Sequence, residues 1–369
     1  MKIAFLGDIY LDKAYLECKG DLLLDIKSEL DKCDFVVANL ESPVTAGTDR
    51  LRKIGPNLKM SHLPNEILDS IDIFSLANNH MMDFSSSGLT DTIKYLESKG
   101  KRYFGAGVDL NTAFKETVIS KNNVTVALIG MAEDEFSLTF GNYPGVAPLN
   151  PIYSYNRIAS AVTKYDHVII FIHGGNEFSS LPSPKYRQLC KMYVDMGVSS
   201  VISSHTHIVG PIEEYKSKPI FYSLGNCLFN SKKPPKGWLE GLVVNLELSK
   251  KAINYTYFGF KQAVSIGGTM KLSNSDHCSF YVDLTAMSAS INDKDIYLKL
   301  WDDFLVENSE KYLFRVCSPV FFKGAYTVFS RLKINKLLYT SQSKLLKQNY
   351  ISCESHREVV LDSFSKEEK

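Results

Sequence analysis

The chain has 369 residues, 44% of them hydrophobic, with 42 basic against 41 acidic side chains and a net charge of +1. This excludes global disorder and a fibrous protein, and allows a large core in two domains or in one domain with an appendage. The near balance of charge lacks the basic excess of a nucleic-acid binder, so no nucleic-acid partner is expected. Seven scattered cysteines form no C-x-x-C and read as reduced thiols. Asp8 arrives too early for the apolar segment of a signal peptide, and no later run is long and apolar enough to span a bilayer. The expectation is a cytoplasmic protein, with a peripheral membrane role through a partner left open.

In chain order, Lys2–Leu6 is a β-rich run that stops at Gly7-Asp8. Asp21–Leu30 has helical spacing, and Asp34–Ala38 is a buried strand running into Asn39-Leu40-Glu41. Residues 44–63 read as a loop with a basic run at Arg50, Arg52 and Lys53, either solvated or holding an anionic substrate. Ile71–Leu76 is a strand ending in Asn78-Asn79-His80, and Ser85–Lys99 a helix capped by its serines. Tyr103–Gly107 is a strand closing on a glycine turn. Thr117–Ile119 and Val124–Ile129 form a hairpin around Asn122-Asn123. Tyr153–Tyr165 and Lys185–Met196 are helices. His167–Ile172 is a strand ending in His173-Gly174-Gly175, glycines that give a ligand or metal access to the backbone. The apolar run 197–203 leads into Ser204-His205-Thr206-His207. Ile220–Leu224 is a strand, and Leu239–Leu248 pairs antiparallel with Ile253–Phe260. Beyond about Ala286 helical spacing takes over, in Ile291–Phe304 and Val328–Gln348. The domain boundary is accordingly set at 285/286, with a helical extension over 286–369.

Alternation of strands and helices to about residue 225 gives an α/β layered fold. Strand after strand ends in a metal-type group: Asp8, Glu41, Asn79-His80, His173, then His205 and His207. Ligands of open α/β sheets collect beyond the carboxyl ends of the strands, so these groups are expected at one site. Two carboxylates, an amide and three imidazoles suit one or two divalent metals, Mn, Fe, Zn or Mg, that clamp a phosphoryl group and activate water. Each residue alone has a plainer use. Asp8 and Asn79 suit turns, Glu41 a surface loop, His80 a satisfied core position, and Glu177 a solvated face. Glu177 is also placed to fix a histidine tautomer, and Asp83 to do so for His80. His62, His167, His277 and His356 read as structural or exposed.

Gly7-Asp8, A-N-L-E-S-P (38–43), L-A-N-N-H-x-x-D (76–83), H-G-G-N-E (173–177), S-H-T-H (204–207) and Y-S-L-G-N (222–226) occur in this order. Together they resemble the CapA family of poly-γ-glutamate capsule synthesis proteins, over about residues 1–245. The resemblance implies a calcineurin-like metallophosphoesterase fold, a four-layer α/β/β/α sandwich. It implies Asp8 and Glu41 as carboxylate ligands, with Glu41 bridging, Asn79 as amide ligand, His80 as acid/base, and His173, His205 and His207 as imidazole ligands. Tyr10 stands where metallophosphoesterases usually have a histidine, a gap that CapA-like proteins share. Serine precedes the H-x-H where glycine is usual, and the motif at His173 lacks the usual tryptophan.

Three functions compete. The first is a metal-dependent hydrolase of a phosphoester or related acyl centre, acting on an anionic small molecule or polymer in extracellular-polymer synthesis. The second is a metal-free acid/base enzyme on a peptide or amide, using Asp8, His80 and Glu177. The third is a non-catalytic subunit of a polymer synthase, docking through its C-terminal helices.

Overall fold

The computed structural model describes residues 1–53, 55–317 and 324–332, with Lys347 and Ile351. The chain divides into two compact units, Met1–Tyr297 and Leu298–Lys369. The strands are β1 (Lys2–Tyr10), β2 (Phe35–Leu40), β3 (Ile73–Ser75), β4 (Arg102–Phe104), β5 (Ala106–Gly107), β6 (Thr117–Lys121), β7 (Val124–Ala132) and β8 (Gly145–Val146). They continue as β9 (His167–His173), β10 (Ser200–Ser204), β11 (Ile212–Tyr215), β12 (Lys218–Phe221), β13 (Asn226–Phe229), β14 (Glu240–Leu248), β15 (Ile253–Ala263) and β16 (Gly268–Lys271).

One sheet runs β16-β15-β14-β1-β2-β3-β4, with β13 also paired to β1. The other runs β11-β12-β10-β9-β7-β6. In the first, β1 to β4 are parallel neighbours. In the second, β7, β9, β10 and β12 are parallel, and β6 and β11 form antiparallel edges. Every residue of β9 and β10 is buried, which is why β9 reads as a near-continuous apolar run, while β10 buries three serines around Val201 and Ile202.

The sheets pack face to face. Phe5, Val37 and Phe104 from the first meet Leu128, Phe171 and Ile202 from the second, with the Phe5 and Phe171 rings stacked at 6.2 Å. The outer face of the first sheet is covered by helices Leu24–Leu30, Asn65–Ser70 and Ser85–Ser98 through Ile26, Ile67 and Leu89. Helices Pro151–Lys164 and Pro184–Asp195 cover the second through Ile158, Cys190 and Tyr193. This is the α/β/β/α sandwich the sequence led us to expect.

Several local expectations need correction. The serines do not cap Ser85–Ser98: its N-cap is Phe84, Ser85 sits at φ 57, and the Ser87 hydroxyl donates to the Phe84 carbonyl. Tyr103–Gly107 is two short strands, because Gly105 turns the chain at φ 87 between β4 and β5. The asparagines of the β6–β7 hairpin both take positive φ, 53 and 60, the conformation of a tight two-residue turn. Helix begins well before residue 286: one helix spans Asn274–Asn292 and the next Lys294–Cys317. Of the expected helix Val328–Gln348, residues 328–331 end the helix Ala325–Arg331, Leu332 caps it and Lys347 is helical, while the other residues lie outside the described ones, as does His356.

Candidate metal centre

The carboxyl ends of β1 and β2 from one sheet meet those of β9 and β10 from the other. Asp8 lies in β1, fully buried, where the strand exchanges partner from β14 to β13 and pairs with Asn226. A Cβ on Gly7 would stand 1.8 Å from the Gly225 carbonyl oxygen, and Asp8 N–H donates to that same oxygen at 3.2 Å. Gly7-Asp8 and Leu224-Gly225-Asn226 are therefore two halves of one close backbone contact.

Around Asp8 the groups are fixed by hydrogen bonds. Asn39 Nδ2 donates to Asp8 Oδ1 at 2.7 Å, and the His205 backbone N–H donates to Asp8 Oδ2 at 3.1 Å. The Asn226 amide accepts from His207 Nδ1 at 3.0 Å and donates to the His207 carbonyl at 3.2 Å. That leaves His207 Nε2, 3.7 Å from Glu41 Oε1, as the nitrogen open to a ligand. His173 Nε2 lies 2.9 Å from His205 Nδ1, 3.1 Å from Asn79 Oδ1 and 3.7 Å from Glu41 Oε1. His205 and His207 hold φ of 101 and 61, a strained conformation for non-glycine residues that concentrates at functional sites.

Two sets of three ligand-type side chains result, each with its atoms within 4.8 Å of one another: Glu41, His173 and His205, and Asp8, Glu41 and His207. Glu41 belongs to both. It is 0% exposed, and neither carboxylate oxygen has a hydrogen-bond partner. Burial, then the charge of Asp8, pushes its acid well above the usual range. Burial pushes His205 and His207 down to about 4 and holds His173 well below the ordinary range. Neutral imidazoles and a buried carboxylate without a partner are what a cation between them needs. The residues therefore fit a divalent metal, or two sharing Glu41.

His80 lies beside this cluster. Its Nδ1 is 2.7 Å from Asp83 Oδ2 and 3.2 Å from Lys53 Nζ. Lys53 and Asp83 form an ion pair with side chains 1% and 0% exposed. The basic run is thus split: Arg50 and Arg52 are exposed, whereas Lys53 is drawn inward. Glu177 is exposed, and its charge adds to the rise at Glu41. The glycines after His173 do not open the backbone to a ligand: Glu133 fills the space beside Gly174 and the Thr206 methyl that beside Gly175. His167 is buried between Ser199 and the Ser249 carbonyl, while His62 and His277 are exposed.

Sequence reasoning passed over Asn39, Asn226 and Glu135 as site residues, and read Lys53 as solvated or substrate-holding where it is the buried partner of Asp83. Asn39 was within reach, because residues two apart on a strand share a face and Asn39 stands two before Glu41. Glu135, whose Oε2 accepts from Asn79 Nδ2 at 2.6 Å, sits in a loop after β7 and has no telling spacing.

The fold and site define an α/β/β/α sandwich with candidate metal ligands at the strand ends of both sheets. The chain belongs to the bacterial capsule synthesis protein family PGA_cap, whose model matches residues 2–231. It is 30% identical over 256 residues to the capsule biosynthesis protein CapA of Bacillus anthracis, covering 64% of this chain and 61% of that one. It is 29% identical over 252 residues to the PGA biosynthesis protein CapA of Bacillus subtilis, covering 64% of each. The chain thus spans a little under two thirds of the length of either relative. Among solved structures, a 5'-nucleotidase from Candida albicans aligns at a TM-score of 0.42 and 12% identity, over 85% of this chain and 58% of that one.

Proposed function

We propose that the chain is a metal-dependent hydrolase serving the synthesis or tailoring of an extracellular polymer, poly-γ-glutamate capsule in the first instance. The observation that carries this is Glu41, buried without a hydrogen-bond partner and common to both ligand triads. Asp8, Glu41, Asn79, His173, His205 and His207 would hold the metal. Once bound, Mn, Fe, Zn or Mg would supply charge stabilisation at a phosphoryl or acyl oxygen and a more acidic water. His80 protonates the leaving group from Nε2, with Asp83 fixing the ring through Nδ1 and Lys53 holding Asp83 in place. Glu177, which is exposed, belongs to the metal-free acid/base alternative, with Asp8 and His80.

The substrate of this reading is an anionic small molecule or polymer, and the partner a membrane-bound synthase met peripherally. No helix among the described residues is long and apolar enough to cross a membrane. Unpaired thiols at Cys18, Cys33, Cys190, Cys227 and Cys278 suit the cytoplasmic location we assign, which cell fractionation checks.

Metal content of the purified protein, beside a His205→Ala/His207→Ala control, tests the site. Stoichiometric metal that vanishes in the control supports it, and turnover that survives exhaustive chelation shifts the reading to metal-free acid/base chemistry. His80→Ala is expected to lose turnover by orders of magnitude, and a wild-type rate in that variant removes the role. A second reading, a docking subunit, has one observation behind it: Leu305, Val306 and Tyr312 stand exposed on helix Lys294–Cys317. Site variants that leave polymer output intact would favour it.

A further inference from the structure

We infer that Glu135 is a positioning residue of the metal centre, setting the orientation of His205 in the Glu41–His173–His205 triad and of the amide ligand Asn79 beside it. The inference rests on the metal-site reading above. Glu135 Oε2 accepts from Asn79 Nδ2 at 2.6 Å. An amide held by its nitrogen must turn its oxygen the other way, and Asn79 Oδ1 does face the triad, 3.1 Å from His173 Nε2. The second oxygen, Oε1, lies 3.9 Å from His205 Nε2, on the far side of that ring from Nδ1, which faces His173. One carboxylate thus faces both the Asn79 amide and an imidazole of the triad, from outside the triad. Carboxylates set against the second nitrogen of a ligating histidine fix its tautomer and ring plane.

The loop carrying Glu135 is itself tied to the segment it acts on. The Met82 backbone N–H donates to Ser137 Oγ at 3.2 Å. Lys53 Nζ, the partner of Asp83, stands 5.3 Å from the centre of the Phe136 ring. Residues 135, 136 and 137 therefore touch, in turn, the amide ligand, the ion pair behind His80 and the backbone two residues beyond it. Three consecutive contacts hold this loop across residues 79–83.

Glu135 accepts a hydrogen bond from Asn79 with Oε2 and sets its other carboxylate oxygen, with its charge, 3.9 Å from His205 Nε2. A glutamine carries no charge and has one acceptor oxygen, so it cannot keep both the Asn79 hydrogen bond and an oxygen facing His205. Glu135→Gln should therefore weaken Mn²⁺ binding at one of the two positions about 10- to 100-fold, the usual loss for a removed outer partner of a metal ligand. The experiment is a Mn²⁺ titration of wild type, Glu135→Gln and Glu135→Asp, counting free Mn²⁺ by electron paramagnetic resonance, with melting of each metal-free protein alongside. The expected result is unchanged metal-free melting in all three, one weakened Mn²⁺ position in Glu135→Gln, and affinity partly restored in Glu135→Asp. Equal Mn²⁺ number and affinity in wild type and Glu135→Gln overturns the inference while leaving the metal site standing. Failure of wild type to bind Mn²⁺ overturns both. If Glu135→Gln does not fold, Glu135→Asp decides: wild-type affinity at both positions counts against the inference, because the shorter side chain cannot span both partners.

Discussion

Replacing Glu41 by methionine should stabilise the metal-free protein and abolish its response to metal. The carboxyl group is wholly buried, both oxygens lack hydrogen-bond partners, and Asp8 stands close enough to repel its charge. A buried polar group left unsatisfied costs about 1–3 kcal/mol, more when charged. Methionine has similar length and no such group, so Glu41→Met should recover about that much, a few degrees in Tm for a domain of this size. Metal at about 100 times its Kd adds about 2.7 kcal/mol to a protein that binds it only when folded. A variant without the shared ligand forgoes that gain. The order of stabilities should therefore invert: the variant melts above wild type in EDTA and below it in excess Mn²⁺. Thermal and urea denaturation in both buffers measure this. A variant less stable than wild type in EDTA would show that the carboxylate is satisfied in the folded protein. Equal stabilisation of both by Mn²⁺ would show that Glu41 is not a ligand.

Three further outcomes are expected. Lys53→Met strands Asp83 in the interior, and breaking a buried ion pair from one side costs about 3–5 kcal/mol; the Leu58 N–H, 2.6 Å from Asp83 Oδ2, should keep the loss at the lower end, and a change in urea stability under about 1 kcal/mol would contradict the burial of that pair. Gly7→Ala must push β1 away from the Gly225 carbonyl, so it should lower stability by about 3 kcal/mol or more and release bound metal with it, whereas a folded variant with intact metal content would rule out the close contact. Metal-free Glu41→Met should lose stability as pH falls from about 6.5 toward 4, because His205 and His207 stay neutral in the fold down to about 4 while the unfolded chain takes up protons from about 6.5. The Glu41→Met background is needed because the raised acid of Glu41 acts in the opposite sense, destabilising as pH rises through its folded value. A urea midpoint that is flat between pH 7.5 and 5 would refute the burial of those rings.

Much of this architecture was open to reading because parallel strands bury both faces. Such strands appear as apolar runs, and the polar residue that ends each run marks the rim where ligands gather. Asp8, Glu41, Asn79, His173, His205 and His207 all announce themselves this way. The short pairing strands β11, β13 and β16 do not, since four residues carry too little periodicity and their pairing is decided by neighbours far along the chain. Lys53 and Glu135 were opaque for a related reason. Both come from loops, where a side chain's partner is set by how the loop returns and not by any spacing in it. The expected serine cap is absent because the N-cap position falls on Phe84, with Ser85 itself at φ 57.

The division of the candidate ligands between the sheets bears on how the protein is made. Asp8 and the His205 amide that holds it are 197 residues apart. Glu41 comes from one half of the sandwich, and His173, His205 and His207 from the other. A growing chain would expose its ligand carboxylates long before its ligand imidazoles had been made. No intermediate with a single finished sheet could gather the full ligand set, and any cleavage between the halves that let them part would scatter it. The centre would thus report on completion: only a chain that has emerged through about Lys271, where the last strand of the first sheet ends, would have both sheets docked and the means to capture a metal.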